Sequence, residues 1–204
     1  MISRPESQLN PDHVRLYEGN IFSFIRQLHF SDKHPQESID LVLFLNGLAI
    51  FTVELKNPFK GQNVQAAIQQ YKKRDSKDPI FLFNRCLCHF AVDTDLVYMC
   101  TQLKQNDSFF LPFNKGYHKG AGNPPHPSGF KSAYLWEEVW QKDNLIDILT
   151  NFIQSIEDKS NKLSAKKLVF PRYHQWNTVR KLIQHVKAQG TGHNYLVQHS
   201  AGSG

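Results

Sequence analysis

The stretch SIDLVLFLNGLAIFTVELKN, residues 38–57, constrains this chain more than any other. Asp40 to Leu45 is almost wholly apolar, the pattern of a strand buried on both faces. Asn46-Gly47 then marks a hairpin turn, and the return run from Leu48 to Lys56 is again β-rich before it ends in charge. Side chains two apart share a face of a strand. Thr52, Glu54 and Lys56 therefore point one way, and Phe51, Val53 and Leu55 point into the core. Register decides what Glu54 meets across the hairpin. A strict two-residue loop sets Asp40 opposite Val53, on the wrong face. A three-residue loop sets it opposite Thr52, on the face of Glu54. The sequence thus predicts a three-residue loop or a β-bulge.

An unpaired carboxylate and lysine at the end of an apolar strand are costly to bury. A metal ion and a phosphate would satisfy both. Asp40 and Glu54 are hard oxygen ligands suited to Mg²⁺, which retains waters and binds phosphate oxygens. Such an ion lowers the pKa of a bound water and neutralises phosphate charge. Lys56 could orient the attacking water and stabilise charge growing in the transition state.

Around this hairpin the chain reads as mixed α and β. Residues 1–20 are polar and weakly patterned, with no convincing helix, and 20–31 alternates as a strand. Asn57-Pro58 stops the second hairpin strand. Residues 62–75 read as a helix with Val64, Ala67, Ile68 and Tyr71 on one stripe. Two β-like runs, CLCHFAV and LVYMCT, flank Asp93-Thr94-Asp95. Residues 107–131 hold four glycines and four prolines and read as a long loop. A second helix is expected over 143–158, with Leu145, Leu149, Phe152 and Ile156 on its stripe. The polar, basic DKSNKLSAKK reads as a linker. Beyond it lie a helix carrying Val179, Ile183 and Val186, a strand NYLVQH, and SAGSG.

Net charge is +6 and the pI is near 9.2, which favours polyanionic partners. Cys86, Cys88 and Cys100 are too few and too clustered for a disulfide framework, and they suggest a reducing, cytoplasmic setting. Cys86-x-Cys88-His89 has poor zinc spacing, and both cysteines are expected in the core. No run is long and apolar enough to span a membrane, and MISRPESQLN lacks the apolar stretch of a signal peptide.

Ser38-Ile39-Asp40 with Val53-Glu54-Leu55-Lys56-Asn57 resembles the PD-(D/E)xK nuclease site, with Ile39 where that name has proline. SIDLVLFLNGLAIFTVELKNP, FNRCLCHFAVDTDLVYMCTQL, FLPFNKG, GAGNP and YLWEEVW together resemble the R subunit of type I restriction–modification enzymes, from about Asn20 onward. The resemblance implies a restriction-endonuclease-like α/β core over residues 1–158, with a mixed central sheet flanked by helices, and a preceding helix whose absence suggests a truncated N-terminus. It implies hydrolysis of double-stranded DNA, with Mg²⁺ on Asp40, Glu54 and the Leu55 carbonyl and Lys56 catalytic. Some relatives carry a Q-x-x-x-Y pair on the next helix. Here position 67, four before Tyr71, is alanine, while glutamines stand at 65, 69 and 70. Tyr71, with Lys60, Lys72, Lys73 and Arg74, is expected to meet DNA.

Residues 159–204 resemble a linker and the opening of a helicase-like ATPase. Phe170 to Gln175 is similar to an adenine-recognising segment, with Gln175 the contact. Ser200 to Gly204 resembles the start of a phosphate-binding loop, with Gly202, Ser203 and Gly204 around the ATP phosphates and the chain cut before the lysine. Modification and specificity subunits are the implied partners. A nuclease-like module serving only as a docking or DNA-binding surface is the competing class, and the intact acid–acid–lysine trio argues against it.

Overall fold

The computed structural model describes residue 5 and residues 9–82, 85–118, 120–157 and 166–199. Helix α1 (Pro11–Glu18) comes first. Its start signal is local: Asn10 accepts the amides of Asp12 and His13, Pro11 takes the first helical position, and Asp12 favours the positive helix end. No residue of α1 is buried, so the apolar periodicity that would betray a core helix is missing, although the Asn-Pro-Asp cap is legible in the sequence.

The strands β1 (Phe22–His29), β2 (Ser38–Leu45) and β3 (Leu48–Leu55) form an antiparallel meander. Helix α2 (Val64–Lys73) then crosses over and returns the chain to β4 (Cys88–Val92), which pairs with β3 in parallel. Antiparallel pairing adds β5 (Val97–Cys100) and β6 (Leu111–Pro112). The result is a six-stranded mixed sheet in sequential order, flanked by helices, as a restriction-endonuclease-like core requires. Val64, Ala67, Ile68 and Tyr71 are the buried stripe of α2, and they pack on Ile39, Val42, Ala91 and Cys100. Asp93 ties this helix to the sheet: Oδ2 accepts the Val64 amide, and Oδ1 accepts those of Asp95 and Leu96.

The other face buries Phe51, Val53, Phe90, Val97 and Met99. Its cover is a π-helical turn (Leu135–Val139), then α3 (Lys142–Asp147) running into a second π-turn (Ile148–Phe152). The helix expected over 143–158 therefore stops at Phe152. Ile153 is extended, and Ile156 lies in β7 (Gln154–Glu157), paired with β8 (Lys166–Val169). The stripe misleads because position 156 continues a helical repeat while also fitting a short exposed strand.

The 107–131 segment is more ordered than its glycines and prolines suggest. It contributes β6 and the fully buried Phe113. Asn114 Oδ1 accepts the Val97 amide, and Asn123 joins the Lys115 amide to the Asp95 carbonyl.

Helix α4 (Tyr173–Gln189) comes after β8. Phe170, Tyr173 and Trp176 belong to the same core as Phe51 and Phe90, with the Phe170 ring 5.7 Å from Phe51 and 5.9 Å from Phe90. Packing thus runs through the boundary expected at residue 158. The strand expected at 194–199 is not formed. That segment lies beside α4 without regular secondary structure, where Tyr195 OH meets His185 Nδ1 at 2.8 Å, and a strand needs a partner for its amides. Gly202, Ser203 and Gly204 lie outside the described residues.

Two outcomes are expected. Trp176 has no exposed surface, so Trp176→Ala should cost about 3–5 kcal/mol in urea unfolding; a near-zero loss would mean that α4 packs independently of the sheet. His89 is buried with no charged partner among the described residues, and burial pushes its pKa down to about 3. The neutral ring fits a chain in which Tyr71 donates to Thr52 (2.9 Å) and Thr52 to His89 Nδ1 (2.7 Å). The unfolded chain takes up this proton near 6.5. Between about 6.5 and about 3 the unfolded state therefore binds more protons, and stability falls as pH drops. His89 should contribute up to about 1.4 kcal/mol per pH unit in that window. Unfolding curves of wild type and His89→Gln across it should diverge in slope, and parallel curves would contradict this.

Candidate active site

The hairpin places the first acid. Asn46 and Gly47 have φ of 52° and 80°, and Leu45 pairs with Leu48, so the turn is a two-residue loop with both centres left-handed. The expected three-residue loop is absent, and the expected bulge is present. Phe44 pairs with Ala49 and Leu43 with Phe51, leaving Ile50 as the extra residue in β3. The Ile50 carbonyl accepts the Leu87 amide at 2.9 Å. Beyond the bulge Leu41 pairs with Val53, which brings Asp40 level with Glu54 rather than Thr52. The extra residue lies in the return strand, so the register moves the opposite way from a longer loop. Either shift puts the two acids on one face.

The row extends across the sheet. Gln27 on β1 lies level with Asp40, between the pairs Arg26–Leu41 and Leu28–Ile39, and Glu54 pairs with Ala91 on β4. Asp40 Oδ1 accepts from Gln27 Nε2 at 2.9 Å, and Oδ2 accepts the Leu55 amide at 2.8 Å. Glu54 is 0% exposed. Its Oε1 accepts from Arg74 Nη2 at 2.6 Å, and its Oε2 is buried with no hydrogen-bond partner among the described residues. Burial pushes the Glu54 pKa up to about 7; Arg74 pulls it down by charge and hydrogen bond, Asp40 raises it, and Lys56 lowers it. The three expected residues are thus within electrostatic reach of one another. Lys56 fixes its backbone on the Val92 carbonyl (2.8 Å) and donates from Nζ to Gln70 Oε1.

Leu55 departs from expectation in its side chain, which is 48% exposed at the strand end. Its carbonyl is well placed. The Lys56 amide faces β4, and a trans peptide turns the Leu55 carbonyl the opposite way, toward β2 and Asp40. Two carboxylates, one of them with an orphaned buried oxygen, and this carbonyl suit a hard cation that keeps several waters. Among the described residues no cluster of three or more His, Cys, Asp or Glu side chains could hold a metal. The cysteines are buried and free.

Two of the residues expected at DNA are placed elsewhere. Arg74 is 5% exposed, held by Glu54, by Glu37 Oε2 (2.7 Å) and by the Ser38 carbonyl (2.6 Å), and stacked 5.0 Å from the Phe30 ring. Tyr71 is fully buried and bonded to Thr52. Their charge and hydroxyl are needed inside, and neither reaches the surface. Lys60 is exposed after β3, Lys73 lines a hollow with Asp40 and Gln70, and Lys72 is half-buried. Gln175 caps α4 by accepting the Arg172 amide at 2.9 Å.

Gln70 and Gln27 join the site without having been expected there, and Arg74 joins it as the partner of Glu54 rather than as the expected DNA contact. Counting four back from Tyr71 reaches Ala67, whereas the helix face over the acids carries Gln70 and Arg74, also four apart.

Arg74→Met would leave Glu54 buried without its counter-charge, and should cost about 3–5 kcal/mol at pH values above 7. Glu54 has a folded pKa raised above its unfolded value, so the native variant takes up a proton more readily as pH falls. Without Arg74 the variant's Glu54 takes up its proton at a higher pH than wild type does, so the deficit should shrink as pH falls toward about 7 and level off below it, where both are protonated; a pH-independent deficit in urea melts would refute this account.

The model of the type I restriction enzyme R protein N-terminus family matches residues 8–108, a span holding Asp40, Glu54, Lys56, Gln70 and Arg74. Over a 201-residue alignment covering 92% of this chain, the sequence is 27% identical to a protein of Methanocaldococcus jannaschii named, provisionally, as the type I restriction enzyme MjaVIIIP endonuclease subunit. The chain spans 17% of that relative's length. Residues 8–108, which carry the whole acid–acid–lysine row, belong to the family of type I restriction enzyme R protein N-terminal domains.

Proposed function

We propose that the chain is the DNA-cleaving part of a type I restriction enzyme R subunit, hydrolysing phosphodiester bonds of double-stranded DNA with Mg²⁺. The observation that carries this reading is the row in which Asp40 and Glu54 share a face beside Lys56, with Glu54 Oε2 buried and unpartnered. Asp40, Glu54 and the Leu55 carbonyl are the ligands that would hold the ion. When bound, Mg²⁺ supplies polarisation of the phosphate and a more acidic bound water. Lys56 brings a fixed positive charge to the scissile phosphate, oriented by Gln70, and offsets charge developing on its oxygens. Leu55 and Gln27 hold both Asp40 oxygens, so the carboxylate need not reorganise as substrate arrives. Lys60 and Lys73 would contact backbone phosphates, which position a duplex without reading its sequence.

In a full-length R subunit, we assign ATP-driven translocation to a motor C-terminal to this part, with Gln175, Gly202, Ser203 and Gly204 toward the nucleotide. Modification and specificity subunits would supply site recognition. What supports a larger assembly is the family match and the relative's name as an endonuclease subunit.

One observation favours the competing reading of a silent docking module: Arg74 already neutralises Glu54. Cleavage by the complete enzyme separates the two. Asp40→Ala and Lys56→Ala should each lower cleavage by at least about a hundredfold while DNA binding and ATP hydrolysis persist. Unimpaired cleavage in either variant would overturn the nuclease assignment.

A further inference from the structure

We infer that Gln27 is a positioning residue for Asp40, built into β1 at the expense of a regular backbone. Four described non-glycine residues have positive φ: Gln27, Asn46, Gln105 and His118. Asn46 is in the hairpin turn, and Gln105 and His118 lie outside the named strands. Gln27, at 52°, is the one of the four inside a strand with extended neighbours on both sides. The β1–β2 ladder breaks at this residue alone: Phe22 to Arg26 are paired, and pairing resumes at Leu28. The register is unchanged across the gap, so the distortion does not serve to shift one strand against the other.

The side chain accounts for the distortion. Gln27 Nε2 donates to Asp40 Oδ1 at 2.9 Å, and Ser38 Oγ donates to Gln27 Oε1 at 2.8 Å. An ionised carboxylate only accepts hydrogen bonds. The acceptor-only carboxylate therefore fixes the amide with its nitrogen toward Asp40, and the Ser38 hydroxyl holds the amide oxygen from the far side. The Leu55 amide holds Oδ2 from the neighbouring strand. Asp40 is thereby pinned from β1 and β3, and the rotation of its carboxyl about its own axis is stopped on both oxygens. Partners of this kind orient a metal ligand and raise its affinity for the ion. Gln27 and Asp40 line one open hollow with Arg26 and Leu55, so the amide borders the space a cation would enter.

This inference rests on the proposed metal site, and its test separates the two. Gln27→Gly retains the left-handed backbone at no steric cost and removes the amide. Mn²⁺ binding is read by electron paramagnetic resonance on the 204-residue chain, and thermal unfolding on the same samples. Gln27→Gly should keep or raise the melting temperature while weakening Mn²⁺ binding about tenfold or more. Ser38→Ala should weaken it less, because the amide keeps its bond to Asp40 and loses only the support at its oxygen. Asp40→Asn should abolish binding. Wild-type affinity in Gln27→Gly, with binding lost in Asp40→Asn, overturns the role of Gln27 alone. Absence of Mn²⁺ binding in wild type, or unchanged binding in Asp40→Asn, overturns the metal site and this role together.

Discussion

One extra residue, Ile50, sets the register on which the candidate site depends. The side-chain period of a strand is two, so adding a single residue to one partner exchanges every side chain beyond it between faces. Without the bulge, the tight turn at Asn46-Gly47 would bring Asp40 across from Val53, against the aromatic face of the sheet. With it, Asp40 stands beside Glu54 under α2. The bulge costs one ladder position, and the Ile50 carbonyl recovers a bond from Leu87. The side chain of Ile50 joins the same cluster as Phe51, so the distortion is also packed.

The second constraint is the burial of Glu54. A carboxylate with no exposed surface must be neutralised, and Arg74 does so through a 2.6 Å contact while also holding Glu37 and the Ser38 carbonyl. This couples the end of α2 to the start of β2, two residues before Asp40. Arg74 satisfies only Oε1. The other oxygen is left without a hydrogen bond among the described residues, an expensive arrangement in a finished core and a sensible one where, as proposed, a cation is to be received. The same interaction that stabilises the resting fold therefore holds one acid in place.

Much of this is legible in the sequence because it is local. Strand alternation puts Thr52, Glu54 and Lys56 on one face, and turn chemistry with register arithmetic demands an irregularity somewhere between Asp40 and Glu54. The stripe of α2 can be read residue for residue. The features that escape are non-local or lack periodicity. Helix α1 buries nothing, so only its cap announces it. Arg74 reads as one more charge in a basic run until the sheet places a buried acid beneath it. Gln27 reads as an ordinary polar residue in an exposed strand, since neither its left-handed backbone nor its partner on the next strand is written in its neighbours.

The segment after residue 158 shows the same limit from the other side. Composition marks 158–167 as a linker, and a linker suggests that the residues beyond it pack elsewhere. Yet β7 and β8 pair across that segment, and Phe170, Tyr173 and Trp176 complete the core behind β3 and β4. Phe51, whose ring contacts Phe170, precedes Glu54 by three residues on the strand that carries it. The acids occupy one face of the sheet, and α4 supports the opposite face. In energetic terms α4 belongs with the nuclease-like sheet, so whatever bears on α4 in a longer protein bears directly on the back of the strand that presents Glu54.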